Sequence, residues 1–230
     1  MGLIGGIAGI IGTILIVGGW ILGILGYNSK PDKPFDRRYN PLTHLVSTLG
    51  HANTPRSTLV NISVVLGAIA LGLVMLAVGL RVPDDAIKAV IIVGAILAGV
   101  AGALVGIFPS GKPTEGSPHH LIFAFGFFLL SATVVAVFTS FLLFGGREVV
   151  LVGLVIPGVL VVLAAAVMLV AGLVKLIPGD TDWSVPDLAN NIPTPTSVPR
   201  AMFLPTAEWA YVILLNIWVL AVSIFLLTSL

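Results

Sequence analysis

The sequence predicts an all-α protein, a polytopic six-helix transmembrane bundle with a short amphipathic helix and two long loops on one face. Three observations predict it. Of the 230 residues, 57% are hydrophobic and only 9% charged, whereas a soluble domain carries about 25% charged residues. Six stretches are long and apolar enough to cross roughly 30 Å of hydrocarbon at 1.5 Å per residue. The polar residues that remain gather where these stretches end, mostly on one side. Residues 1–230 read as a single integral membrane domain.

The first stretch, Leu3–Gly26, spaces its glycines four apart, as Gly2/Gly6, Gly5/Gly9 and Gly19/Gly23. No basic residue precedes it and no Ala-x-Ala site follows, so it reads as a retained span and not as a cleaved signal. Asn40 to Gly50 is predicted as a short helix, with Asn40 as cap, Pro41 in the first turn and Gly50 at the end. At 100° per residue Leu42, Leu45, Val46 and Leu49 share one arc, while Thr43, His44, Ser47, Thr48 and His51 fill the other. Such a helix beside spans lies in the interface or folds back into the bundle. The second span, Ser57–Leu80, is announced by Thr54–Pro55, and the third, Ala86–Phe108, by Pro83–Asp84–Asp85. The third carries Gly94, Ala98, Gly102 and Gly106 on one stripe, beside Ala95, Gly99 and Ala103. Small-residue spines of this kind let helix backbones approach closely. A phosphate-binding reading fails, because no strand precedes the glycines.

The fourth span, His119–Phe144, starts directly after Pro118. The fifth, Glu148–Ile177, is overlong, and Pro157–Gly158 inside it predicts a kink or a local opening of its hydrogen-bond ladder. The segment 178–206 holds six prolines and reads as an extended cover. The sixth span, Ala207–Leu227, opens on Thr206 and Glu208.

Six spans put both termini with the short connections 81–85 and 145–147, and put 27–56, 109–118 and 178–206 together at the opposite end. That end carries eight of the eleven Lys and Arg residues, which predicts that it faces the cytoplasm. Loops longer than about 12–15 residues are usually functional or disordered, so this end is the expected working face. There are no cysteines, which excludes disulfides, thiolate metal sites and thiol nucleophiles. A net charge of +1 without a dense basic run argues against nucleic-acid binding.

The working face holds all four histidines, His44, His51, His119 and His120, together with Ser47, Asn61 and Glu208. Polar and ionisable groups at span ends or inside apolar runs face the bundle interior or the interface. His44, Ser47, Asn61, His119 or His120, and Glu208 are therefore expected to converge on one polar pocket, since isolated buried polar groups each cost roughly 1–3 kcal/mol. Arg37 and Arg38 are candidates for an anionic headgroup, with Phe35, Tyr39 and Trp183 as an aromatic rim.

Phe108–Pro109 closes the third span, His119–His120 opens the fourth, and Ser47-Thr48-Leu49-Gly50 stands before the second. In this layout the chain resembles the domain of unknown function 998 family and, more loosely, the six-span superfamily of the damage-regulated autophagy modulators and Sfk-type proteins. The resemblance covers roughly the whole chain and departs from the family in the proline-rich 178–206 segment and at Glu208. It implies a six-span fold and topology and brings no reaction; the more distant relatives imply the opposite orientation.

Three functional classes follow. The first is a membrane protein that binds a lipid, an amphiphile or a protein partner under the two long loops. The second is a membrane-embedded lipid hydrolase. It would use zinc held by three of His44, His51, His119 and His120 with Glu208, or Ser47 with a histidine base and Asn61 as oxyanion donor. The third is haem ligation by facing histidines such as His44 and His120. No His-Glu-x-x-His or Gly-x-Ser-x-Gly element supports the hydrolase, and the lack of mid-span acids counts against an ion-coupled transporter. No cofactor is specified by the sequence. The expected location is the plasma or cytoplasmic membrane.

Overall fold

A computed structural model describes residues 1–29, 39–42, 45–51, 54–109, 118–144, 152–175 and 203–229. They form six α-helices: α1 Gly2–Asn28, α2 Ser57–Gly79, α3 Asp85–Ile107, α4 Pro118–Phe144, α5 Val152–Lys175 and α6 Phe203–Thr228. All six are long and apolar enough to cross a membrane, and the described residues include no strand. The chain is an integral membrane protein.

Each helix packs on its neighbour in sequence, and α6 returns to α1 and α2, closing the bundle. The ring is held by a core that includes Met75, Ile91, Val134, Tyr211, Trp218 and Leu226, none more than marginally exposed. Outward, α1 presents Ile4, Ile7, Ile11, Ile14 and Ile21, all exposed. In a bilayer such residues meet acyl chains as apolar as themselves, so they need no protein partner.

Glycine decides how closely the helices approach. A Cβ on Gly5 would lie 2.5 Å from Ala77 Cβ, and one on Gly12 equally 2.5 Å from Ala70 Cβ, which sets the α1–α2 seam. Between α2 and α3, a Cβ on Gly99 would lie 3.4 Å from Gly72 Cα, so backbone meets backbone. A Cβ on Gly106 would come within 2.6 Å of the Asn61 carbonyl oxygen. Of the α3 stripe expected from the sequence, Gly102 and Gly106 are turned to α2, whereas a Cβ on Gly94 would meet Val134 of α4.

Helix starts follow the local chemistry. Asp84 Oδ1 accepts from the Ile87 N–H at 2.9 Å and caps α3, while Asp85 pairs with Lys88 at 2.7 Å. α5 continues as one helix through Pro157. The proline stands early in the helix, where it removes a single ladder bond, and Gly158 lets α5 approach Thr139 of α4. Of the predicted fifth span, Glu148–Leu151 and Leu176–Ile177 lie outside the described residues, as does most of the 178–206 cover.

The segment before α2 differs from the predicted helix starting at Asn40. Asn40 does cap a turn, its Oδ1 accepting from the Leu42 N–H at 2.9 Å, but residues 40–42 and 45 are not helical. Leu45 is extended, and only a single 3₁₀ turn follows, Val46–Gly50. The reason is tertiary: the Val46 N–H is taken by Glu208 and the Leu45 carbonyl by the Tyr39 hydroxyl, at 2.9 Å each. The two-faced pattern fails with it. Leu42 is exposed, whereas Thr48, Leu49, Gly50 and His51 are all buried. The turn is wedged between α1, α2 and α6, with Leu49 against Gly23, where a Cβ would lie 3.1 Å from Leu49 Cβ.

Candidate functional site

At the loop end the bundle encloses a cavity of about 120 Å³. Its walls come from α1, α2 and α6, with α3 and α4 contributing near the loop end and the 3₁₀ turn forming part of the roof. The lining is mainly apolar, including Ile16, Val64, Leu71, Val105, Phe127 and Leu215. Glycine and alanine at Gly12, Gly67, Ala68 and Gly102 leave the space.

Four of the polar residues singled out in the sequence line this cavity: Ser47, Asn61, His120 and Glu208. Each is delivered by a different element. Ser47 stands in the 3₁₀ turn and Asn61 in the second turn of α2. His120 stands in the first turn of α4 and Glu208 in the second turn of α6. Glu208 is 7% exposed. Among the described residues its carboxylate accepts one hydrogen bond, from the Val46 N–H, and makes no ion pair. Asn61 Nδ2 donates to the Gly50 carbonyl at 3.0 Å, tying the end of the turn to α2. His120 Nδ1 lies 2.8 Å from the Phe108 carbonyl. A carbonyl only accepts, so Nδ1 carries the proton in that bond, which sets the ring's orientation. The close of α3 and the start of α4 are joined there, and Pro109 also lines the cavity.

The other candidates fall elsewhere. His119 is exposed and turned to the Phe108 ring, 6.1 Å between centroids, and does not line the cavity. His51 is buried but outside the lining. His44, Arg37 and Arg38 lie outside the described residues, as do Phe35 and Trp183 of the expected rim. Among the described residues no group of three or more His, Cys, Asp or Glu comes together to hold a metal ion.

The roof is braced by aromatic residues whose role the sequence did not disclose. Tyr39 is buried, with its hydroxyl donating to the Leu45 carbonyl at 2.9 Å and accepting from Trp209 Nε1 at 3.1 Å. Its N–H donates to Asn28 Oδ1 at 2.8 Å. Burial, and next the charge of Glu208, hold the Tyr39 hydroxyl well above its ordinary pKa, so it acts as a neutral hydrogen-bonding group. Trp20 meets Trp209 edge-on at 5.1 Å, and Tyr27 meets Tyr39 at 5.4 Å. These contacts join α1, the loop and α6 beside the carboxylate. Instead of a wet rim, Tyr39 is a buried brace.

Two further polar residues line the cavity deeper in the bundle, Thr13 and Asn216. The Thr13 hydroxyl is buried and has no hydrogen-bond partner among the described residues, while Asn216 Nδ2 donates to the Val212 carbonyl at 2.8 Å. Asn216 carries the same signal that marked Asn61, an amide within an apolar run.

No family model, curated protein or solved structure matches this chain.

Proposed function

We propose that this membrane protein binds a membrane amphiphile in the loop-end cavity, with the polar end held among Ser47, Asn61, His120 and Glu208. The observation that carries the reading is the cavity's division into a mainly apolar shaft and a polar mouth. An amphiphile has the same division, and ligand sites are typically apolar pockets with a few placed polar groups. A buried carboxylate that makes no ion pair among the described residues is costly on its own, and its place at the mouth of a cavity supports a role toward a ligand. Among the described residues no cluster supports the zinc reading, and His44 of the haem reading lies outside them. The resemblance to the domain of unknown function 998 family belongs to this proposal as well, and it bears on fold and topology alone.

The experiment is to extract the protein with its surrounding lipid in polymer discs and compare retained lipids by mass spectrometry with an Ala124→Phe variant. Ala124 lines the cavity and is only partly buried, so the larger ring fills space with little disturbance of the core. A species enriched with the native protein and depleted in the variant is expected. Identical lipid profiles from two equally folded proteins would overturn the reading. We further propose the plasma or cytoplasmic membrane as its location with the loop end in the cytoplasm, so a cysteine introduced at Lys33 should resist labelling from outside intact cells.

A further inference from the structure

The cavity has a length as well as a mouth. On α1 its lining runs from Trp20 down to Gly9, on α2 from Val60 to Leu71, and on α6 from Glu208 to Val219. Each run covers eleven residue steps, about 16 Å at the α-helical rise of 1.5 Å per residue. That is about half of a hydrocarbon core roughly 30 Å thick. The shaft is therefore as deep as one leaflet. It is also narrow, because about 120 Å³ is spread along that depth. A single extended chain suits such a shape, and a two-chain lipid does not.

The mouth constrains the head. Glu208 accepts only from the Val46 N–H and has no cation beside it among the described residues. One Asn61 amide hydrogen serves the Gly50 carbonyl, and the His120 Nδ1 proton serves that of Phe108. Among the described residues the mouth's one acidic group is thus a buried carboxyl whose ionised form is costly by itself. A cation would offset that burial, and an arriving anion would add to it.

Resting on the amphiphile reading above, we infer that the ligand is a single-chain amphiphile with a cationic, hydrogen-bond-donating head such as an ammonium group. Its head pairs with Glu208 and its chain descends to the level of Thr13 and Asn216. Thr13 lies seven residues below Trp20 on α1, and Asn216 eight below Glu208 on α6, about 10–12 Å from the mouth. At that depth a long chain passes Thr13, which lines the cavity, and a short one stops above it.

The test uses the full chain in non-ionic detergent, with adducts counted by native mass spectrometry. The probes are dodecylamine, dodecanoic acid and hexylamine. Dodecylamine is expected to bind about tenfold or more tightly than dodecanoic acid, the size expected for one hydrogen bond to a charged group. Glu208→Gln, which keeps an acceptor for Val46, should abolish that preference. Thr13→Phe should weaken dodecylamine while leaving hexylamine unchanged. If Thr13→Phe does not fold, the smaller Thr13→Leu serves instead, with a weakening in the same direction expected for dodecylamine and none for hexylamine. Equal binding of the amine and the acid overturns the head assignment while the amphiphile reading stands. Insensitivity of dodecylamine to the Thr13 variants overturns the chain's placement. If neither long-chain probe binds and Ala124→Phe changes no retained lipid, both readings fall together.

Discussion

Two parts of this bundle join helices by opposite means. Along the α2–α3 seam the backbones meet with almost nothing between them, as at Gly72 and Gly99. Contact there is a matter of volume. At the loop end of α6 the elements stand further apart and are joined by directional bonds, Glu208 to Val46, Tyr39 to Leu45, Trp209 to Tyr39 and Asn61 to Gly50. The first arrangement excludes space, and the second frames it. The cavity lies where the polar framing holds a 3₁₀ turn over the gap among α1, α2 and α6. The two parts also share a residue. Asn61 gives its backbone carbonyl to the close approach of Gly106 and its side chain to the roof.

If that contrast is right, the seam should tolerate no volume and the mouth should tolerate volume but not loss of acceptors. The largest effect is expected at Gly106, whose added Cβ would face a backbone atom that cannot turn aside. Gly106→Leu should destabilise by about 3 kcal/mol, the upper end of ordinary overpacking. Thermal unfolding in detergent, followed by loss of monodisperse protein, measures it. Gly102→Leu is expected to cost less, about 1–3 kcal/mol. A Cβ there meets the Ala68 Cβ and the Phe127 ring at 2.8 Å each, and the ring borders a cavity into which it can move. A reversal of this order would mean that the ring is held more rigidly than the α2 backbone.

At the mouth, Glu208→Ala should destabilise by about 1–3 kcal/mol, because it leaves the Val46 N–H without its acceptor. Glu208→Gln should cost clearly less. Equal losses in the two variants would mean that charge, and not the bond to the 3₁₀ turn, is what the roof depends on. Asn61→Leu comes next at about 1 kcal/mol, removing the donor to Gly50 while retaining side-chain volume. No loss there would show that the roof is held from α6 alone.

These differences also explain what could be read from the chain. Span positions follow from apolar run length, so Ser57–Leu80 and Asp84-capped α3 fall within a residue or so of expectation. The α3 stripe follows from four-residue spacing, since every member of such a row shares a face. The loop end obeys no such period. The segment from Asn40 has helical signals, and they lose to long-range bonds from Glu208 and Tyr39 that no local pattern announces. Ser47, Asn61, His120 and Glu208 drew notice as polar residues at span ends, but nothing in their spacing says that His120 lines the cavity and its neighbour His119 does not. One residue step turns a side chain by 100°, and the rotation of α4 is set by its packing on α3. Thr13 passed unmarked because a threonine in a span ordinarily bonds its own backbone.

The smallest expected effect falls on another pair of neighbours. Gly18 and Gly19 stand side by side in α1, and sequence alone gives them the same meaning. In the bundle a Cβ on Gly18 meets nothing within 4 Å, whereas one on Gly19 would run into Ser63 of α2, 2.7 Å from its Cβ. Gly18→Ala therefore adds no clash and removes a helix-weakening glycine, which should leave stability unchanged or raise it by about 0.5–1 kcal/mol. Gly19→Ala must push Ser63 and with it α2, and should lower the unfolding temperature measurably in the same assay. The pair isolates the rotation of α1 from its helix propensity, because the two variants make the same chemical change one residue apart. Equal responses would place both glycines in the same environment and would rotate α1 away from the face on which Thr13 and Trp20 line the cavity.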